Sequence, residues 1–457
     1  MKFMKTVSDR ANEEDVPLHA LGSFIATMGN SFHTRFDQML YGLLVMGMAG
    51  IMSIAGLGTA TAQQDSKPSL KKTLEDNSYS LGWSDGELTG RGGRMLLEKA
   101  GKADFVVLGE MHGTREIPQL MSALIQQLQQ QGEADYLALE ASPWTVGKMT
   151  EKLRSGREAY EEFIRKYPVG FPFYNLETES RLVHRFVENS DKKQPLWGLD
   201  QIFSFSTNMA FDRLNEIAPT KAARSAVSTL RSAVDTRSAS DERLKKLPPS
   251  LPAPISVVDN QSFDTLKTHY KNVPEGVEIL EELSVSTEIY RLNDSHNYRS
   301  NQMRADYLRE NLRTSFENVR NATDEQNPQV VVKVGGWHAY KGITPNHALD
   351  VGNLSVALAE SMGGESFNVA ILCGPGSRNR GFPSETRDCW REQLGEDFKS
   401  LSKDGPVFFD LSKVHPQLHT RLKIEDERLE NFLWAFDAVV LIPDTSPARY
   451  IAPPAKK

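Results

Sequence analysis

Six short apolar runs punctuate the chain: Ala103–Gly109, Tyr136–Glu140, Pro195–Leu199, Val330–Gly335, Asn368–Cys373 and Ala438–Ile442. They are nearly continuous rather than alternating, which is the pattern of parallel strands covered on both faces. Between them the apolar positions change to a helical period. Ile117, Leu120, Met121, Leu124, Ile125 and Leu128 fall on one helical stripe, and Pro118 fits that helix only in its first turn. Segments 177–188 and 351–362 repeat the pattern. Residues 144–323 are too many for a single crossover, and apart from the strand near 195 they read as helical. Within them 220–236 is amphipathic, 246–255 carries four prolines and must be a loop, and 277–316 reads as one long helix or two in series. The expected architecture is α/β: a mostly parallel sheet with helices on both faces, and a helical lid, about 144–323, over the carboxyl ends of the strands. No internal repeat is visible.

The N-terminus follows a different rule. No charge occurs between Asp37 and Asp65, the run from Leu40 to Leu57 is mostly apolar, and Ala60-Thr61-Ala62 closes it in the form a signal peptidase reads. Residues 1–62 are therefore expected to be a signal peptide with an over-extended start before Met28, cleaved after Ala62. An uncleaved membrane anchor is the alternative, because the run is long enough to span a bilayer. Residues 63–90 read as a linker, 91–450 as the folded domain and 451–457 as a tail. Export to a periplasmic or secreted location follows, with membrane contact only through that first segment.

Composition narrows the field. The 457 residues are 39% hydrophobic and 25% charged, enough to bury a large core. The net charge is −7 and no stretch concentrates Lys and Arg, so nucleic acid is not an expected partner. The two cysteines, Cys373 and Cys389, flank a Gly/Pro/Arg-rich loop and are expected to form a disulfide in an oxidising compartment; alone, they do not make a zinc site.

The chemistry sits at the strand ends. The first run delivers Glu110 and His112 (LGEMHGTREI), the second Glu140 (LALEASPW), the third Asp200 (LWGLD) and the fourth Trp337 and His338 (VVVKVGGWHAYKG). In open parallel sheets ligands bind outside the carboxyl ends of the strands, so four such deliveries in succession point to a site. Each residue has a plainer reading too. Glu110 or Asp200 could cap a helix, and His112 or His338 could be a satisfied core histidine. Glu140, ending a buried strand, needs a partner in either case.

Taken in order, these motifs resemble the erythromycin esterase family and its relatives, the haem-binding uptake and Tiki-type proteins. NYRSNQMRADYLREN, with Arg299 four residues before Met303, and FDAVVLIPDTSPARY complete the resemblance, which runs from about Arg91 to Arg449. Two departures mark this chain: only Met111 stands between Glu110 and His112, as in the haem-uptake relatives, and the later motif carries one histidine rather than two. The resemblance implies a hydrolase without a covalent intermediate, acting on a small-molecule substrate. His112 would be the general base, near its ordinary pKa, with Glu110 or Glu140 orienting it and His338 and Arg299 holding the developing oxyanion. Glu116, Asp200 and Trp337 would line the substrate site. No G-x-S-x-G elbow offers a nucleophilic serine. No cofactor is expected on this reading. The rival readings are a metal hydrolase, with Glu110, His112 and His338 on a divalent ion, and a haem or iron carrier using His338 or Tyr340 as axial ligand.

Overall fold

The computed structural model describes residues 69–240, 255–322, 327–380, 385–390 and 394–452. All belong to a compact unit spanning Lys67–Lys457. The expected signal segment, nearly all of the proline-rich loop and most of the short tail lie outside the described residues.

Twelve strands are formed by the described residues: β1 Ser78–Ser80, β2 Gly82–Ser84, β3 Glu87–Thr89, β4 Phe105–Glu110, β5 Tyr136–Leu139, β6 Leu196–Gly198, β7 Val330–Gly335, β8 Ser366–Cys373, β9 Ser377–Arg380, β10 Glu385–Asp388, β11 Val407–Asp410 and β12 Ala438–Ile442. Eight make one sheet in the order β1-β11-β12-β8-β4-β7-β5-β6. From β12 to β6 every neighbour is parallel, and these six are the six apolar runs. β11 and β1 add antiparallel pairs at one edge.

The stretch 63–90, expected as a linker, departs from that reading from Ser69 onward. It forms the helix Leu70–Asp76, the edge strand β1 and the hairpin β2–β3. Its elements are too short and too polar to register as apolar runs, yet β1 takes up the hydrogen bonds of β11 and so covers an otherwise open edge.

β4 lies mid-sheet and is buried along its whole length. Alternate residues face opposite layers. Phe105 meets the Phe316 ring of the helix Arg299–Ala322, with centroids 5.2 Å apart. Gly109 faces the same way, and a Cβ there would stand 2.6 Å from that of Ala339. The 3-10 turn Gly336–Ala339 can therefore lie directly on the strand end. On the other face the helix Glu116–Gln131 presents the predicted apolar stripe and stops at Gly132, whose φ of +76° provides a left-handed cap.

The helical region between 143 and 322 is only partly a lid. Its helix Glu177–Glu188 lies against Glu116–Gln131 instead, with Gln129 Nε2 donating to the Phe186 carbonyl at 3.1 Å. Of the two readings of 277–316, two helices in series is the one formed: Pro274–Asp294 and Arg299–Ala322, broken where His296 takes a left-handed φ of +55°.

The Cys373–Cys389 disulfide is present, as expected. It joins the end of β8 to the foot of the β9–β10 hairpin. That hairpin clasps the turn after β4: Asn379 N donates to Gly113 O at 2.9 Å, and Arg378 Nη1 donates to His112 O at 3.3 Å. Gly113 has φ +90°, and a Cβ there would lie 2.0 Å from Asn379 O, so only glycine fits.

Candidate active site

β4 ends in Glu110, and the chain then turns through His112. Nδ1 of the imidazole lies 2.7 Å from Glu110 Oε1. Its Nε2 lies 3.3 Å from Glu140 Oε2, at the end of β5. The ring stacks on Phe173 at 4.0 Å and 13°. Phe173 holds a left-handed φ of +69°, a conformation that costs a bulky residue about 1–3 kcal/mol and tends to be retained at functional positions.

β4 and β5 are not neighbours; β7 runs between them. It can pass because it ends in Gly335, where a Cβ would lie 2.8 Å from His112 Nε2 and 3.2 Å from Glu140 Oε2. The Gly335 amide instead donates to Glu140 Oε2 at 2.5 Å. Glu140 Oε1 accepts from Arg304 Nη2 at 2.9 Å and lies 3.6 Å from His338 Nε2. The other ring nitrogen of His338 is 2.7 Å from Asp350, which also caps the helix Val351–Ser361. Arg304 grips Asp200 through Nε at 3.0 Å and through Nη2. Thus β4, β5, the segment after β6, β7 and one overlying helix converge on a single charged cluster.

Comparison with known proteins agrees with this architecture. No family model matches the chain, and no curated protein matches it. Solved structures do. A protein from Bacillus cereus is 15% identical with TM-score 0.53, covering 83% of this chain and 98% of its own. An erythromycin esterase mutant in its open conformation is 15% identical with TM-score 0.53, over 78% of this chain and 95% of its own. A succinoglycan biosynthesis protein is 15% identical with TM-score 0.53, over 83% and 97%. The chain has an erythromycin esterase-like fold.

Within that fold the structure brings Glu110, His112, Glu140 and His338 together, with Asp200 joined through Arg304. Arg299 is not with them. It opens its helix with an exposed side chain, and its amide is capped by Asn297. Five residues turn an α-helix about 140° beyond a full turn, so Arg304 faces the cluster where Arg299 cannot. Glu116 is engaged elsewhere, accepting from Ser446 N at 2.8 Å and Ser446 Oγ at 2.6 Å, and so anchors the loop after β12. Trp337 turns outward and is 42% exposed. Asp200 is no cap for the segment at Phe203; it receives Arg304 and the Gln201 amide.

Sequence reasoning also passed over Lys333, Glu179 and Asp350. Lys333, buried in the middle of β7, reaches Glu110 Oε1 at 2.6 Å and Glu179 Oε2 at 2.9 Å. A lone lysine inside VVVKVG was the available signal.

The electrostatics differ from the expectation of an ordinary histidine. Burial pushes the His112 pKa down, but Glu110 and Glu140 outweigh it and hold the ring up at about 9. Burial likewise pushes Glu140 up, and His338, His112 and Arg304 overcome it and keep the carboxyl well below its usual range. Glu110 is held low against burial by Lys333 and His112. Burial and Arg304 push His338 down, but Asp350 and Glu140 together hold it above its usual value.

This donor set does not fit the metal reading. Both ring nitrogens of His112 face carboxylates, Nδ1 on Glu110 and Nε2 on Glu140. Glu110 is held by Lys333. Among the described residues no group of three His, Cys, Asp or Glu side chains is arranged around a cation position. Tyr340 and His338 are equally unsuited as haem ligands. Tyr340 is buried against Phe436, with centroids 5.0 Å apart, and His338 is buried on Asp350.

Proposed function

We propose that the protein is an exported hydrolase that cleaves an ester-type bond in a small molecule, using water activated by His112. One observation carries the reading: a histidine clasped between two carboxylates at converging strand ends, with a half-buried arginine beside it. The His112 and Arg304 side chains are 24% and 25% exposed, whereas Asp200 and Glu110 are sealed beneath them. The erythromycin esterase among the fold neighbours supports the ester class. Export rests on the N-terminal apolar segment with its Ala-x-Ala close, and on the disulfide.

In this mechanism neutral His112 takes a proton from water as the oxygen attacks the ester carbonyl. Glu110 fixes the ring through Nδ1 and stabilises the imidazolium, as does Glu140. Arg304 and His338 hold the oxyanion. The carbon–oxygen bond to the leaving group then breaks, and the imidazolium returns its proton to the departing alkoxide. With the pKa at about 9, roughly one ring in a hundred is neutral at pH 7, so the reaction is faster in alkali.

The test uses activated aryl esters with the purified full-length protein. His112→Ala should lower kcat/KM by about a thousandfold or more without unfolding the chain. The reading is overturned if that variant hydrolyses at the wild-type rate, or if a chelator abolishes activity that zinc or manganese restores.

A further inference from the structure

Behind His112 lies an enclosed charged pair that the proposed hydrolysis does not use. Lys333 and Glu179 are each 1% exposed. A strand interior is a costly place for an ammonium, several kcal/mol even after relaxation, unless its partners are well placed. Here they are: Glu110 Oε1 at 2.6 Å, Glu179 Oε2 at 2.9 Å, and the Tyr174 ring, with Nζ 5.4 Å from its centroid. The same Glu110 oxygen faces His112 Nδ1 at 2.7 Å. Glu110 Oε2 is buried and makes no hydrogen bond among the described residues. The carboxylate is thus pinned through a single atom, with lysine on one side and imidazole on the other. Without the lysine it could rotate or present its other oxygen.

We propose that Lys333 and Glu179 are positioning residues for His112: Lys333 locks the Glu110 carboxylate against the imidazole, and Glu179 supplies the counter-charge that keeps Lys333 in place. The catalytic part of this rests on the hydrolase reading, but the positioning itself can be read on the histidine ring. Glu179 is poised to respond to its neighbours. Burial, and then Glu110, raise it to about 7 against the pull of Lys333.

The charged and titratable groups around His112 are Glu110 from β4, Glu140 from β5, Lys333 from β7 and Glu179 from its helix. Arg304 and His338 lie on Glu140 and in turn carry Asp200 and Asp350, the Tyr174 ring lies by Lys333, and Arg378 touches the His112 carbonyl. Within that set the two substitutions act with opposite sign. Glu179→Gln removes negative charge, so the His112 midpoint falls. Lys333→Met removes positive charge, so it rises.

The experiment is a nitrogen-15 histidine NMR titration of the full-length protein, with His112 assigned by the signal lost in His112→Gln. Ester hydrolysis is followed in parallel. Glu179→Gln should lower the His112 midpoint by on the order of half a unit. Lys333→Met leaves two buried carboxylates without a cation and can fail to fold, so the double variant Lys333→Met with Glu179→Gln carries the positioning test. Its midpoint should return towards wild type while kcat stays at least tenfold down with KM little changed, because charge is rebalanced but the lock is gone. If Glu179→Gln and the double variant both leave the midpoint and kcat at wild-type values, the pair is packing only and the proposal is overturned. A wild-type protein that titrates as described but hydrolyses no ester refutes the hydrolase reading and leaves the positioning result standing.

Discussion

Arg304 is the joint of the charged cluster, and Arg304→Met tests it by keeping an unbranched apolar stem while removing the charge. The guanidinium is shared by Glu140 and Asp200, and it lies 5.8 Å from the Phe203 ring centroid. Removing it leaves two buried carboxylates without their cation. Breaking a fully buried pair typically costs about 3–5 kcal/mol. Arg304 keeps a quarter of its side chain in solvent, so screening reduces that to roughly 2–3 kcal/mol. In urea unfolding followed by tryptophan fluorescence, this moves the midpoint down by about 1 M. The cost should also depend on pH. The Glu140 carboxyl is depressed in the folded protein, so its contribution is present above its unfolded value and is lost as pH falls through the folded one. The gap between wild type and variant should therefore narrow below about pH 4. A cost under about 0.5 kcal/mol, or a gap that stays constant into acid, would show that the arginine is an ordinary surface partner and refute the reasoning.

Three further outcomes follow from the same geometry. Gly335→Ala puts a methyl 2.8 Å from His112 Nε2, so circular dichroism should be unchanged while kcat/KM drops at least about tenfold; full activity would mean that the ring is free to move aside. The rate should climb with pH through about 9 as the His112 imidazolium loses its proton, and a profile already flat above pH 7 would assign the base elsewhere. Thiol titration of the denatured, unreduced protein should find no free cysteine, and Cys373→Ser should cost about 3 kcal/mol for a loop of this size; two titratable thiols would contradict the bridge.

The parallel sheet was legible because its six strands are buried on both faces and so carry unbroken apolar runs. β1 and β11 were not: β1 is Ser78-Tyr79-Ser80, with one apolar position, and β11 has only Val407, Phe408 and Phe409 before Asp410. Strand ends pointed to Glu110, His112, Glu140 and His338 because strand direction alone places them. The resemblance pointed to Arg299 through its spacing from Met303, whereas Arg304 holds the cluster; a helix rich in arginine gives no sign of which face turns inward until its neighbours are known. The elevated pKa of His112 was hidden for a related reason: its second carboxylate arrives from β5, across β7, and strand order is not written in any local stretch. Glu179 and Asp350 sit among many other acids and carry no mark of their own, whereas Lys333, the one charge inside VVVKVG, carried a signal that the reading passed over.

The position of β4 in the sheet has a consequence for how the protein is made. Both its neighbours, β7 and β8, lie far downstream, and Lys333 is 223 residues from Glu110. A ribosome delivers the strand FVVLGE long before either partner exists. Throughout that interval the nascent chain carries an unpaired apolar strand flanked by helices that can form on their own, a state inviting wrong pairing and capture by chaperones. Chains stopped anywhere before Val330 should accordingly be protease-sensitive and prone to aggregate, however many helices they contain. Productive folding has to wait for the last third of translation.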